Sequence, residues 1–435
     1  MLATRTAPGA FDIDLACGVG SKALSDPVRI TRGSRAFRAA SFALFLAGFS
    51  TFSLLYCVQP LLPIFADAFH VSPASSALPM SLATAPLALA ILAAAALSEG
   101  WGRRGLMFVA MGLASLLTIA ASLTTEWTLF VLMRGLAGLA LGGVPAVAMT
   151  WLAEELDPTD VARTTGLYVA GTAFGGMSGR IVTGVLTEWL DWRPAIAIMG
   201  ILGLAAALGF RTLLPPSKHF VRKQKVGFGF HIKAWRAHIA SAPLRMIYGL
   251  AFLIMGAFVA LFNYVSFRLT VAPYHLGQAA IGFLFLAYIA GMISSSLSGR
   301  CVDMFGRKAS LFIGLIIMAL GTALTLLAQL IVIIAGIGIS TFGFFLTHSI
   351  ASSLVGQVAE ETKGHAASLY HLFYYAGSSL AGVAGGWFFA HDGWSAVVFF
   401  ALALMLIGAL LVHRVDINNI TSFKKTLSEP ESPSV

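Results

Sequence analysis

The stretch Cys301-Val302-Asp303-Met304-Phe305-Gly306-Arg307-Lys308 has a counterpart earlier in the chain, Leu97-Ser98-Glu99-Gly100-Trp101-Gly102-Arg103-Arg104. In both, an acid is followed three residues later by a glycine and then by two bases, and Gly306 lies 204 residues after Gly102. Each octet joins two apolar runs, 78–97 with 106–123 and 279–297 with 309–327. A helix rises 1.5 Å per residue, so about 20 apolar residues cross a ~30 Å hydrocarbon core. Working outward, runs of that length recur at 39–64, 127–151, 164–186 and 194–213, and again at 247–269, 330–358, 366–389 and 394–412. They are continuously apolar, without the period-two alternation of a barrel strand, which predicts helices.

Two further anchors keep the same order and nearly the same offset. Leu167-Tyr168, Gly175 and Trp192 match Leu369-Tyr370, Gly377 and Trp394, and Ala153-Glu154-Glu155 matches Ala359-Glu360-Glu361. The expectation is an all-α membrane protein of twelve transmembrane helices in two pseudo-symmetric six-helix bundles. The boundaries expected are a tail over 1–34, bundles over 35–213 and 244–413, a basic linker over 214–243 and a second tail over 414–435. Six is even, so both halves enter the membrane from the same side. Parallel repeats of this kind place a substrate site between the halves near the midplane.

Composition excludes the other broad classes. Of 435 residues, 58% are apolar and 11% charged, whereas a soluble domain carries roughly 25% charge. That rules out an ordinary soluble enzyme, a disordered scaffold and a nucleic-acid binder. Cys17, Cys57 and Cys301 are scattered, which argues against a disulfide framework or a cysteine zinc site. Gly-x-Ser-x-Gly, His-Glu-x-x-His and the Gly-Lys of a phosphate-binding loop do not occur, so the common hydrolase and ATPase motifs are missing. The net charge of +9 is concentrated on one side of a twelve-span layout. Arg5, Lys22, Arg29, Arg32, Arg35 and Arg38 precede the first run. Lys218, Arg222, Lys223, Lys225, Lys233 and Arg236 fill the middle connection, and Arg103, Arg104, Arg307 and Lys308 fill the two octets. The opposite side keeps little beyond Arg193 and Arg268. The positive-inside rule then places both termini in the cytoplasm, with attraction to anionic lipid heads as a second effect. The first run exceeds a signal-peptide core and is expected to be retained.

The octets resemble the loop pattern G-x-L-a-D-R-x-G-R-R/K of the major facilitator superfamily. The second copy keeps Gly299, Asp303, Gly306, Arg307 and Lys308, while the first has Ala95, Glu99 and Gly100 where the family usually has Gly, Asp and Arg. Arg134, Gly138 and Gly142 are similar to the family's R-x-x-x-G element. Gly171-x-x-x-Gly175-Gly176-x-x-Gly179-Arg180 resembles the antiporter signature G-x-x-x-G-P-x-x-G-G, with Gly176 for the proline and Arg180 for the last glycine. The resemblance covers about 35–413 and is closest in character to twelve-span bacterial efflux permeases of the arabinose-efflux-like or drug:proton antiporter type.

That resemblance implies a secondary active transporter, a monomer in the bacterial inner membrane. It would export a small organic solute against protons by alternating access, with the proton gradient as energy source and no cofactor. It implies gating contacts at Glu99, Gly102, Arg103 and Arg104 and at Asp303, Gly306, Arg307 and Lys308. The other reading of these bases is simple anchoring at the lipid surface. Gly171, Gly175 and Gly179 read first as close helix packing.

No Asp or Glu falls in the middle of any run. Drug exporters of the family usually carry a carboxylate in a first-half span, so its absence argues against simple cationic-drug export. Bases are better placed. A charge at membrane depth costs roughly 2.5–3.5 kcal/mol on insertion scales and marks a functional site by default. Arg134, Arg180, His348 and His371, with Tyr56, Gln59 and Asn263, are the candidate lining of a substrate and coupling cavity. Such a lining suits an anionic or polar neutral ligand, which keeps an uptake symporter for an organic anion as the second reading. Each residue also has a plainer role: Arg180 snorkelling to the interface, Arg134 bracing helix carbonyls, and the histidines packed neutral.

Overall fold

The computed structural model describes residues 29–217, 228–359 and 362–414. Lys218, Arg222, Lys223, Lys225, Glu360, Glu361, most of both expected tails and the side chain of Glu99 lie outside the described residues. The helices run α1 Arg35–Tyr56, α2 Leu62–Ala68, α3 Pro73–Ser76, α4 Leu78–Trp101, α5 Arg103–Ser122, α6 Trp127–Leu141, α7 Pro145–Glu155 and α8 Pro158–Trp189. They continue with α9 Trp192–Leu213, α10 Phe228–Ala240, α11 Ala242–Thr270, α12 Gln278–Phe283, α13 Tyr288–Phe305, α14 Arg307–Leu324, α15 Leu330–Val358 and α16 Lys363–Arg414. Among the described residues nine helical segments are long and apolar enough to cross a membrane. Helix α16 breaks at Asp392–Gly393, where Gly393 takes φ +65°, so it holds two of the apolar runs. Helices α4 and α8, which hold two more, fall outside those nine.

Local chemistry sets the boundaries. Ser34 Oγ accepts the Phe37 N–H at 3.0 Å and starts α1. Pro60 has no N–H to continue it, so the chain tightens into a 3₁₀ turn over Gln59–Leu61 before α2. Asp157 caps α8 by accepting the Thr159 hydroxyl at 2.6 Å and its N–H at 3.0 Å, with Pro158 at the first helical position. Those bonds, the hydroxyl first, hold the Asp157 carboxyl below the usual carboxylate range.

The repeat is built into the backbone. Gly102 and Gly306 join α4 to α5 and α13 to α14 with φ of +80° and +79°, a conformation that favours glycine. Between α8 and α1, a Cβ on Gly171 or Gly175 would fall on the carbonyl of Phe45 or Phe49, and one on Gly179 would sit 2.8 Å from Ser53 Cα. In the second half a Cβ on Gly377 would fall on the Phe252 carbonyl, the counterpart of Gly175 on Phe49.

Helices before α10 pack mainly on one another, α1 on α8 and α9, α4 on α6, and α5 on α6 and α9. Those after it do likewise, α11 on α16 and α15 on α13 and α14. The groups meet where α4 touches α16 and α8 touches α12. Helix α10 lies at one end of the bundle, which we call the linker end, against α11 and α16. His231 Nδ1 is there 2.9 Å from His365 Nε2, and His238 Nε2 2.8 Å from Thr362 Oγ1.

Candidate functional site: a buried arginine between the two halves

The two groups of helices touch at the end opposite α10, which we call the far end. Glu188 on α8 accepts the Ala279 N–H of α12 at 3.0 Å. One turn away, a Cβ on Gly184 would lie 2.7 Å from the Gln278 carbonyl, so the two backbones meet directly. Across the other seam Ser379 Oγ donates to the Ser81 carbonyl at 2.9 Å and lies 2.7 Å from Thr84 Oγ1. Val169 on α8 and Met292 and Ile293 on α13 are exposed.

Arg180 sits beneath this closure, 1% exposed. Its Nε donates to Gln59 Oε1 at 2.6 Å and its Nη1 to the Gly176 carbonyl at 2.6 Å. The guanidinium carbon lies 4.1 Å from the Tyr56 ring centroid, 4.7 Å from Phe285 and 4.9 Å from Tyr288. One wall comes from the first half and two from the second. Among the described residues no carboxylate pairs with it. The charge is held instead by ring faces and oxygen dipoles; a desolvated cation–π contact contributes about 2 kcal/mol. Gln59 Nε2 passes the network across the seam to Asn263 Oδ1 at 2.7 Å. Among the described residues Asn263 Nδ2 and the nearby Ser81 Oγ are buried without a hydrogen-bond partner, which leaves unused polar capacity beside the cation.

The expected lining residues therefore separate. Arg180, Gln59, Tyr56 and Asn263 form one cluster. His348 belongs to an aromatic wall in the second half: its Nδ1 is 2.8 Å from Tyr370 OH, its ring is stacked on Phe344, and Tyr374 lies 4.9 Å away. His371 donates Nδ1–H to the Ala367 carbonyl of its own helix at 2.8 Å and lies 6.4 Å from the Tyr375 ring. Arg134 stands apart. Fully buried, it donates Nη2 to the Leu54 and Leu55 carbonyls at 2.9 and 2.8 Å. It neutralises carbonyls freed where α1 breaks, a favourable place for a cation at a helix C-terminus. Among the described residues its Nε and Nη1 have no hydrogen-bond partner.

The two octets are also placed. Arg103 forks onto Glu154 at 2.8 and 3.2 Å, within the first half. Arg104 donates to the Arg211 carbonyl and Lys308 to the His413 carbonyl. Asp303 is exposed and Arg307 half-buried, and neither is ion-paired among the described residues. Sequence reading missed Phe285, Tyr288, Ser81, Thr84, Ser379 and Glu188. The first five lie in runs that read as plain apolar helix, and Glu188 reads as a solvated helix end.

Comparison with known proteins agrees with this architecture. The family described as Major Facilitator Superfamily matches residues 44–381, and again 269–429. The chain is 42% identical over 417 residues to the inner membrane transport protein YnfM of Escherichia coli, covering 95% of this chain and 98% of that one. It is 40% identical over 384 residues to the MFS-type transporter YybF of Bacillus subtilis, covering 88% and 94%. A crystal structure of the nucleoside transporter NupG matches with a TM-score of 0.73 at 12% identity, over 86% of this chain and 99% of that one, a likeness of fold. The chain belongs to the Major Facilitator Superfamily, and it is an integral multi-pass membrane transporter of small molecules rather than an enzyme.

Proposed function

We propose that this transporter exports a small organic solute bearing a negative charge in exchange for protons. The halves 35–213 and 244–413 rock about the Arg180 cluster, with 214–243 as the linker. The observation that carries the reading is Arg180 itself, a buried cation between the halves whose aromatic cage includes no carboxylate. Such a site is complementary to a carboxylate or similar anion with a planar apolar body. Export is supported by the resemblance of 171–180 to an antiporter element. The octets act at the linker end, where Asp303 and Arg307 gain partners when that end closes. His348 and His371 are the proton-exchanging groups, since no acid lies at mid-depth. The chain works as a monomer in the bacterial cytoplasmic membrane with both termini inside.

The second reading, uptake symport of an organic anion, is favoured by the same unpaired cation. Proteoliposomes with an imposed pH gradient separate the two. Export predicts that labelled organic acids move against the proton gradient, and uptake predicts that they move with it. Transport indifferent to the gradient removes the proton coupling from both.

A further inference from the structure

A second basic feature lies outside the Arg180 cluster. At the linker end α1 and α8 diverge around a groove of about 640 Å³ whose lining includes Arg38, Phe42, Phe45, Arg163, Gly166 and Leu167. Arg38 and Arg163 stand exposed at its mouth, and neither is ion-paired among the described residues. The nearest acids in sequence are engaged elsewhere. Asp160 accepts the Arg32 N–H at 2.8 Å, and Asp157 caps α8. Below the two cations the walls are apolar. Phe42 and Phe45 stack at 6.2 Å, and Phe174 continues the surface 6.0 Å from Phe45. Phe42, Leu167 and Phe174 are exposed, and in a membrane protein such a face meets lipid.

The groove also faces away from the Arg180 cage. On α8, Leu167 and Phe174 are two turns apart on one side, whereas Arg180 and Gly176 turn to Tyr56 on another. Two unpaired guanidinium groups above an aromatic trough at the end of a spanning helix pair match one kind of molecule, an anionic phospholipid. A phosphate would meet the two arginines, and one acyl chain would lie along Phe42, Phe45 and Phe174.

We propose that this groove is a binding site for an anionic phospholipid, held by Arg38 and Arg163. Juxtamembrane bases attract acidic headgroups through the same physics, and a forked guanidinium suits a phosphate better than an ammonium does.

The test uses the full chain in detergent, titrated with phosphatidylglycerol or phosphatidylcholine and read by native mass spectrometry. The wild-type protein retains phosphatidylglycerol over phosphatidylcholine, and Arg38→Gln with Arg163→Gln lowers that retention roughly tenfold or more. A control pair of equal charge change, Lys233→Gln with Arg236→Gln on α10, lowers it far less. Gly166→Phe keeps both arginines and fills the groove. A Cβ at that position meets nothing within 4 Å, so the ring can be directed into the groove without displacing backbone, and this variant decides the matter even if the double arginine variant does not fold. It too loses the lipid. Equal retention of the two lipids, an equal loss in the α10 pair, or undiminished binding in Gly166→Phe overturns the proposal. None of these outcomes depends on which solute the Arg180 cluster takes.

Discussion

Gln59 of the first half donates its amide to Asn263 of the second at 2.7 Å while its carbonyl receives Arg180 Nε. One side chain thus joins the buried cation to the opposite half. Gln59→Leu removes both bonds and strands two polar groups in the interior, at about 1–3 kcal/mol each. That penalty falls on the far-end-closed state. Spin labels at Asp67 and Ala272, on the two sides of the far end, should report a longer mean distance in Gln59→Leu than in wild type. An unchanged distance distribution would show that the bridge does not hold the closure.

The two buried arginines should respond oppositely. Arg180→Met gives up its ring contacts and the Gln59 bond but also removes the desolvation cost of a buried charge without an acid partner, so the two offset and thermal stability should stay within a few degrees of wild type while solute binding is abolished. Arg134→Met leaves the Leu54 and Leu55 carbonyls without donors and should lower stability by about 2–4 kcal/mol, with the Kd of surviving protein little changed. Paired melting and binding measurements check this, and the same loss of binding in both variants would contradict it.

Gly184 and Glu188 make the second far-end contact. Gly184→Val places a side chain where the Gln278 carbonyl now sits and should block closure outright. Glu188→Ala removes only the acceptor of the Ala279 N–H and should weaken it. Thiol labelling of a cysteine placed at Gln278 should therefore rise modestly in Glu188→Ala and strongly in Gly184→Val.

Gly306 holds φ +79° and ψ 166°, a region that strains any side chain by about 1–3 kcal/mol. Gly306→Ala should slow turnover and lower stability, and Gly102→Ala should behave alike because the first turn repeats the geometry. Asp303→Asn should lower turnover more than binding, measured as initial transport rate against Kd. Equal transport by Asp303→Asn and wild type excludes a gating role for that carboxylate.

The helices were legible because membrane depth is a length requirement, and residue hydropathy reports it directly. The repeat was legible because glycine at a positive-φ turn leaves a mark in sequence, as Gly102 and Gly306 do. The cage around Arg180 was legible only on one side. Tyr56 and Gln59 stand out as polar groups in an apolar run, but Phe285 and Tyr288 reach Arg180 from the other half. Their approach depends on how α12 and α13 settle against α8, and no local pattern encodes that. Arg134 shows the converse. Its R-x-x-x-G spacing was visible, but its role depends on where Pro60 breaks a different helix.

That no acid among the described residues pairs with Arg180 also has an electrical meaning. An occupied site holding a monovalent anion is locally neutral, and its reorientation across the bilayer does little work against the membrane potential. An empty site carries a full positive charge, and moving such a charge through 100 mV involves about 2.3 kcal/mol. Voltage should therefore act mainly on the unloaded half of the cycle.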